Sequence, residues 1–123
     1  MSFHYWKGTD SDYDHEDKQI KQLSATLSKW SDDTKTRIHL LTNFYVGGEE
    51  IDAAIILPNV IIVIDLKTGS GKINGSENGE WVCQKPDGDK FVLNKGKKNP
   101  YLQGRQKRWA MVNYLEQRKG EIL

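Results

Sequence analysis

EEIDAAIILPNVIIVIDLK, residues 49–67, is the stretch on which the fold turns. Two apolar runs, residues 51–57 and 60–67, are parted by Pro58-Asn59, a pair that ends a strand and reverses the chain. Neither run alternates cleanly between apolar and polar residues, so the pair reads as a central hairpin buried on both faces. With Pro58-Asn59 at the tip, Leu57 pairs with Val60 and paired positions add to 117, which sets Asp52 opposite Asp65. A four-residue loop keeps that register, whereas a loop of odd length would break it. Directly opposed residues hold their Cβ atoms about 4.5–5.5 Å apart, and like charges there repel. Lys67 is two positions beyond Asp65 and projects from the same face. Two carboxylates and an amine therefore converge at one end of an otherwise apolar hairpin.

On the N-terminal side, residues 13–30 carry Ile20, Leu23, Leu27 and Trp30 at helical spacing, with Ser31-Asp32-Asp33 as the stop. Residues 1–12 are polar and aromatic without a period and read as a flexible arm. Residues 36–46 are rich in strand-forming side chains and lead into a Gly47-Gly48 turn. Beyond the hairpin, short strands are expected at 72–75, 81–84 and 91–93. Asn99-Pro100 opens a second helix, since Asn caps and Pro suits the first helical position. That helix is expected to reach about Lys119, with Gly120 stopping it. The order is helix, three strands, further short strands, helix: an α/β or α+β layout with one mixed sheet, forming a single domain over residues 13–123.

Composition narrows the classes. The chain has 123 residues, of which 37% are hydrophobic and 28% charged, with 3 Pro, as in an ordinary globular domain and unlike a disordered chain. Its longest near-apolar run, residues 60–64, is far short of the roughly 20 residues a membrane span requires. The opening residues, rich in Asp and aromatics, do not resemble a secretory leader. The lone Cys83, beside Trp81 and Val82, reads as a core thiol; it excludes an internal disulfide and a cysteine zinc cluster, so a reducing cytoplasm is expected. The net charge of +1 hides an asymmetry: residues 84–123 hold 10 Lys and Arg against 4 Asp and Glu, and residues 1–83 hold 8 against 13. A basic C-terminal third beside an acidic front suits an anionic partner held near carboxylates, although solvated faces would look the same.

Buried, unpaired carboxylates are costly, so Asp52 and Asp65 should be paired or bind a cation. A hard divalent ion accepts a few protein carboxylates together with water and a phosphate oxygen, and Lys67 beside it could hold a water or offset phosphate charge. Alternatively, Asp65 and Lys67 sit at a strand end and pair only with each other. Glu16, four residues before Ile20 and seven before Leu23, falls on the core-facing stripe of the first helix, as a site ligand or as an acid favoured by the helix dipole. On the second helix Gln103, Gln106 and Ala110 share a face, while Leu102, Trp109, Val112 and Leu115 form the expected core stripe. Arg105, Lys107 and Arg108 read as a basic surface. With Lys95, Lys97 and Lys98 just before the helix, they make its start either a natural phosphate site or simply a basic solvated helix.

Glu50-Ile51-Asp52, Val63-Ile64-Asp65-Leu66-Lys67 and Asn99-Pro100-Tyr101-Leu102-Gln103 resemble the nuclease-related domain (NERD) family of the PD-(D/E)xK phosphodiesterase superfamily, over residues 16–115. The resemblance implies a restriction-endonuclease-like αβββαβ core, a mixed central sheet flanked by helices. The final core strand of that plan is missing from this sequence, which implies a module of a longer protein. It also implies a Mg²⁺- or Mn²⁺-dependent deoxyribonuclease. Asp52, Asp65, the Leu66 carbonyl and Glu16 would serve the metal, Lys67 would be the catalytic lysine, and Gln103 the glutamine that opens the second core helix. Lys97, Lys98, Arg105 and Arg108 would hold the DNA or RNA backbone. The family carries Glu where this chain has Asp65, one methylene shorter. Domains of this kind stand alone or beside helicase or kinase-like modules. The rival expectations are a non-catalytic nucleic-acid-binding or targeting domain and a protein-interaction module.

Overall fold

The 49–67 hairpin forms in the register its sequence requires. In the computed structural model, β3 (Glu49–Ile56) and β4 (Ile61–Ile64) are antiparallel, pairing Ala53 with Ile64, Ala54 with Val63, Ile55 with Ile62 and Ile56 with Ile61. The Leu57 N–H donates to the Val60 carbonyl at 2.9 Å and closes the turn over Pro58-Asn59. The structure describes residues 2–9, 14–67 and 71–122, with side chains at 2–9, 17–67 and 71–118.

Around this hairpin lie β1 (Phe3–Lys7), α1 (Asp14–Thr34), β2 (Ile38–Val46), β5 (Lys72–Asn74), β6 (Trp81–Gln84), β7 (Lys90–Leu93) and α2 (Pro100–Ile122). The main sheet has the order β1-β2-β3-β4, with β1 parallel to β2 and the other pairs antiparallel, and β5-β6-β7 make a second, antiparallel sheet. Gly47 and Gly48, at φ of 55° and 79°, supply the two left-handed positions of the tight turn joining β2 to β3.

Burial on both faces holds for β3, but β4 is an edge strand among the described residues, with Ile61 and Ile62 exposed. The reading of residues 1–12 as an arm fails for Phe3–Lys7, which pair with β2 from Phe3–Ile38 to Lys7–Thr42; residues 10–13 lie outside the described part. An edge strand whose side chains mostly face solvent has no burial period to leave in its sequence. Gly8 follows it because a Cβ there would collide with the carbonyl oxygen of Asn43.

Two cores flank the sheet. Ile38, Leu40, Ala53 and Ile55 pack with Leu23 and Leu27 of α1; Val46, Ile51 and Ala54 pack with Met111, Ala110 and Leu115 of α2. Ala53 and Ala54 are consecutive, so the two helices cover opposite faces. Ile38 and Leu40 face α1 whereas Val46 faces α2, although all are even positions of β2. The exchange falls at Asn43, which takes φ of 54° inside the strand and stands across from Asp52, where the ladder is interrupted. A left-handed residue other than glycine in mid-strand is a local strain, and such strain gathers at functional positions.

Both helices outrun their expected stops. α1 continues through Ser31-Asp32-Asp33 because the buried Ser31 hydroxyl donates to the Thr36 carbonyl at 2.6 Å; it ends where Lys35 turns left-handed at φ of 56°. α2 continues through Gly120 to Ile122. Its expected core stripe is also displaced: Trp109 is half exposed, while Lys107 and Met111 are buried. A buried lysine on the inner face and a tryptophan outside defeat a reading based on hydropathy alone.

Candidate active site

The site lies where β4 runs out beneath α2. Asp65, one residue past β4, continues the hairpin register opposite Asp52. The Leu66 N–H donates to Asp52 Oδ2 at 2.9 Å and ties the strand exit to the middle of β3. Lys67 Nζ lies 3.0 Å from Asp65 Oδ2 and donates to Gln103 Oε1 at 2.7 Å. Asp52, Asp65, Leu66, Lys67 and Gln103 are thus brought together. Glu16 is in the first turn of α1, and its side chain is outside the described residues. Gln19, one turn further along, donates to the Lys67 carbonyl at 3.3 Å and ties that part of α1 to the site.

The small second sheet sets the start of α2. Asn99 caps the helix, its Oδ1 accepting the Leu102 N–H at 2.8 Å, while its Nδ2 donates to the Gly79 carbonyl at 2.8 Å and the Glu77 carbonyl at 3.1 Å. Asn94, just past β7 and left-handed at φ of 56°, donates its Nδ2 to Gln103 Oε1 at 2.9 Å. With both Lys67 and Asn94 donating to it, the Gln103 oxygen is fixed inward and its amide N–H groups are left to face elsewhere.

The sequence reading missed Lys107. Far from lying on a basic surface, it is buried, and its Nζ sits 2.7 Å from Asp65 Oδ1. Its position one turn after Gln103 was the available signal, since residues four apart share a helix face. Gln19, Asn94 and the buried Asn43, whose Nδ2 has no hydrogen-bond partner among the described residues, were missed as well. The four basic residues expected to hold a backbone are not gathered on one spot. Lys97 and Lys98 line a cleft beside Asn94 and Asn99, and Lys98 donates to Gln106 Oε1 at 2.6 Å. Arg105 and Arg108 line a separate groove with Ile61, Val63, Tyr101 and Trp109.

Burial pushes the Asp52 carboxyl from 3.8 up to about 6, helped by the hydrogen bond it gives Asp65 when protonated; the Leu66 N–H and the Lys107 charge oppose the rise without cancelling it. Burial also pushes Asp65 upward, but Lys107, the proton on Asp52 and Lys67 together hold it below the ordinary carboxylate range. The folded protein therefore binds the Asp52 proton more tightly than the unfolded chain does. The stabilisation from that proton is complete below about pH 4, fades as the pH climbs to about 6, and is absent above. Asp65 acts oppositely, its contribution being lost as the pH falls below 3.8. Carboxyl ¹³C titration should place the Asp52 midpoint near pH 6; a midpoint near 4 would refute the buried pairing.

As a place for a metal, the cluster offers two carboxylates. Among the described residues no three His, Cys, Asp or Glu side chains group to hold an ion. Two carboxylates suit an ion such as Mg²⁺, which keeps several waters and takes phosphate oxygens. Both Asp65 oxygens face an ammonium, Lys107 at 2.7 Å from Oδ1 and Lys67 at 3.0 Å from Oδ2, so an ion bound there would take the place of one of them.

A mixed sheet between two helices, with acids and an amine gathered where adjoining strands meet under the second helix, is an α/β nuclease-like core. The nuclease-related domain family, NERD, matches residues 11–123, and the chain belongs to that family. No curated protein and no solved structure gives a significant match to the chain. No described helix is long and apolar enough to cross a membrane.

Proposed function

We propose that the domain is a metal-dependent nuclease that hydrolyses DNA phosphodiester bonds. The observation carrying this reading is the opposition of Asp52 and Asp65, with Lys67 within 3.0 Å of Asp65 and braced by Gln103. Asp52 and Asp65, with the Leu66 carbonyl and Glu16 as further oxygen donors, would hold Mg²⁺ or Mn²⁺. Bound there, the ion would supply Lewis-acid polarisation of the phosphate and a more acidic water. Lys67 presents its ammonium with the Gln103 amide oxygen fixing its direction, so it can orient a water by donation and offset charge growing on the phosphate. Arg105 and Arg108 in their groove and Lys97 and Lys98 in their cleft would hold the backbone by charge, giving binding that weakens as salt rises.

The test is cleavage of plasmid and of single-stranded DNA by the purified chain with Mg²⁺, Mn²⁺ or EDTA. Cutting is expected with metal and not with EDTA. Asp52→Asn keeps the acceptor for the Leu66 N–H and should lower the rate about 100-fold or more. Undiminished cutting by that variant would overturn the assignment. Salt-sensitive, EDTA-insensitive DNA binding without any cutting would favour a non-catalytic nucleic-acid-binding domain.

A further inference from the structure

Lys107 occupies the carboxylate that the proposed reaction needs. Asp65 has an ammonium at each oxygen, Lys107 at 2.7 Å from Oδ1 and Lys67 at 3.0 Å from Oδ2, while Asp52 Oδ2 is taken by the Leu66 N–H. Two carboxylates facing two ammoniums are already balanced in charge. A divalent cation added to that arrangement would meet two positive neighbours and, from the described residues, no further negative charge, a strongly unfavourable pairing in a partly buried site. One ammonium has to move before Asp65 can serve a metal.

The geometry indicates which one. Lys67 is braced at a second point by Gln103 Oε1 at 2.7 Å, and Gln103 is itself held by Asn94. The hydrogen bond and ion pair of Lys107 both go to Asp65 Oδ1. Its backbone is pinned, because it lies on the inner face of α2 between Gln103 and the buried Met111. Its side chain, however, is a flexible four-carbon stem that can swing its charge by several ångströms. Among the described residues Lys107 faces Asp65, at 2.7 Å, and Asp52, whose carboxyl feels its charge, while Lys67 holds the other oxygen of Asp65.

We propose that Lys107 is a positioning residue that holds Asp65 in the metal-free protein and yields it to a divalent cation when a substrate phosphate draws the ammonium away. Metal and nucleic acid then bind cooperatively, each weakly alone, and the site is kept from loading with metal before a strand is present. This rests on the metal-dependent reading above, and its test separates the two.

Mn²⁺ binding to the full chain is measured by electron paramagnetic resonance and calorimetry, alone and with a phosphorothioate oligothymidylate that resists cleavage. The expected result is weak Mn²⁺ binding by the unmodified protein, strengthened about tenfold or more by the oligonucleotide. Lys107→Met, similar in volume, should bind Mn²⁺ about tenfold or more tightly with no oligonucleotide, and gain little when it is added. Lys107→Arg, which keeps the charge, should resemble the unmodified protein. Circular dichroism confirms folding, and Lys107→Gln replaces the methionine variant should that one not fold. Equal or weaker Mn²⁺ binding by the neutral variants, beside measurable binding by the unmodified protein, would overturn the role of Lys107 and leave the metal-dependent reading standing. No Mn²⁺ binding by any of the proteins, with or without the oligonucleotide, would overturn both.

Discussion

Asp65→Ala is expected to lower the unfolding free energy by about 3 kcal/mol, a large share of what a domain of this size possesses. The carboxylate stands between two ammoniums, and one of them, Lys107, is almost wholly removed from water. Deleting it leaves that lysine with Asp52 as its remaining acidic neighbour among the described residues. The cost comes from a stranded buried charge and not from lost packing, so it should be recoverable. In the double variant Asp65→Ala, Lys107→Met no buried ammonium is left, and most of the lost stability should return. Urea unfolding of the two single variants, the double variant and the unmodified chain forms a double-mutant cycle. A double variant as unstable as the sum of the two single variants would show that Asp65 and Lys107 are energetically independent, contrary to their 2.7 Å contact.

Lys67→Ala should do the reverse, sparing the fold and removing the reaction. Its side chain is about 30% exposed, so little apolar burial is lost, and Asp65 retains Lys107 as a counter-ion. In the mechanism proposed, however, no other group offers a directed ammonium at that point. The metal-dependent cleavage rate should fall about 10²–10³-fold while the urea midpoint scarcely moves. Parallel measurement of cleavage and unfolding decides the matter. A loss of stability without a loss of cleavage would make Lys67 a structural ion-pair partner, the alternative that its sequence position beside Asp65 also allows.

How far the sequence reaches can be judged residue by residue. The opposition of Asp52 and Asp65 was legible because a two-residue turn at Pro58-Asn59 leaves one register, and register is an arithmetic property of the chain. Asn99-Pro100 was legible as a helix start for the same kind of reason: capping and a fixed φ are local. The strand Phe3–Lys7 was not, since its pairing depends on β2 more than thirty residues away and its side chains face mostly outward.

Lys107 shows the boundary most clearly. In the sequence it is one cation in a run of three, Arg105 to Arg108, set apart from its neighbours only by its spacing of four from Gln103. Only when α2 lies across the end of β4 does one of the three turn inward to meet a carboxylate 42 positions earlier. The left-handed Asn43 is of the same kind, a conformation imposed where the sheet exchanges faces beside Asp52. The chain alone therefore determined which acids oppose each other and where the second helix begins, because turns, caps and periodicity act within a few residues. The packing of that helix on the sheet decided which charges are buried together, because burial and ion pairing are properties of surfaces that meet only in the folded protein.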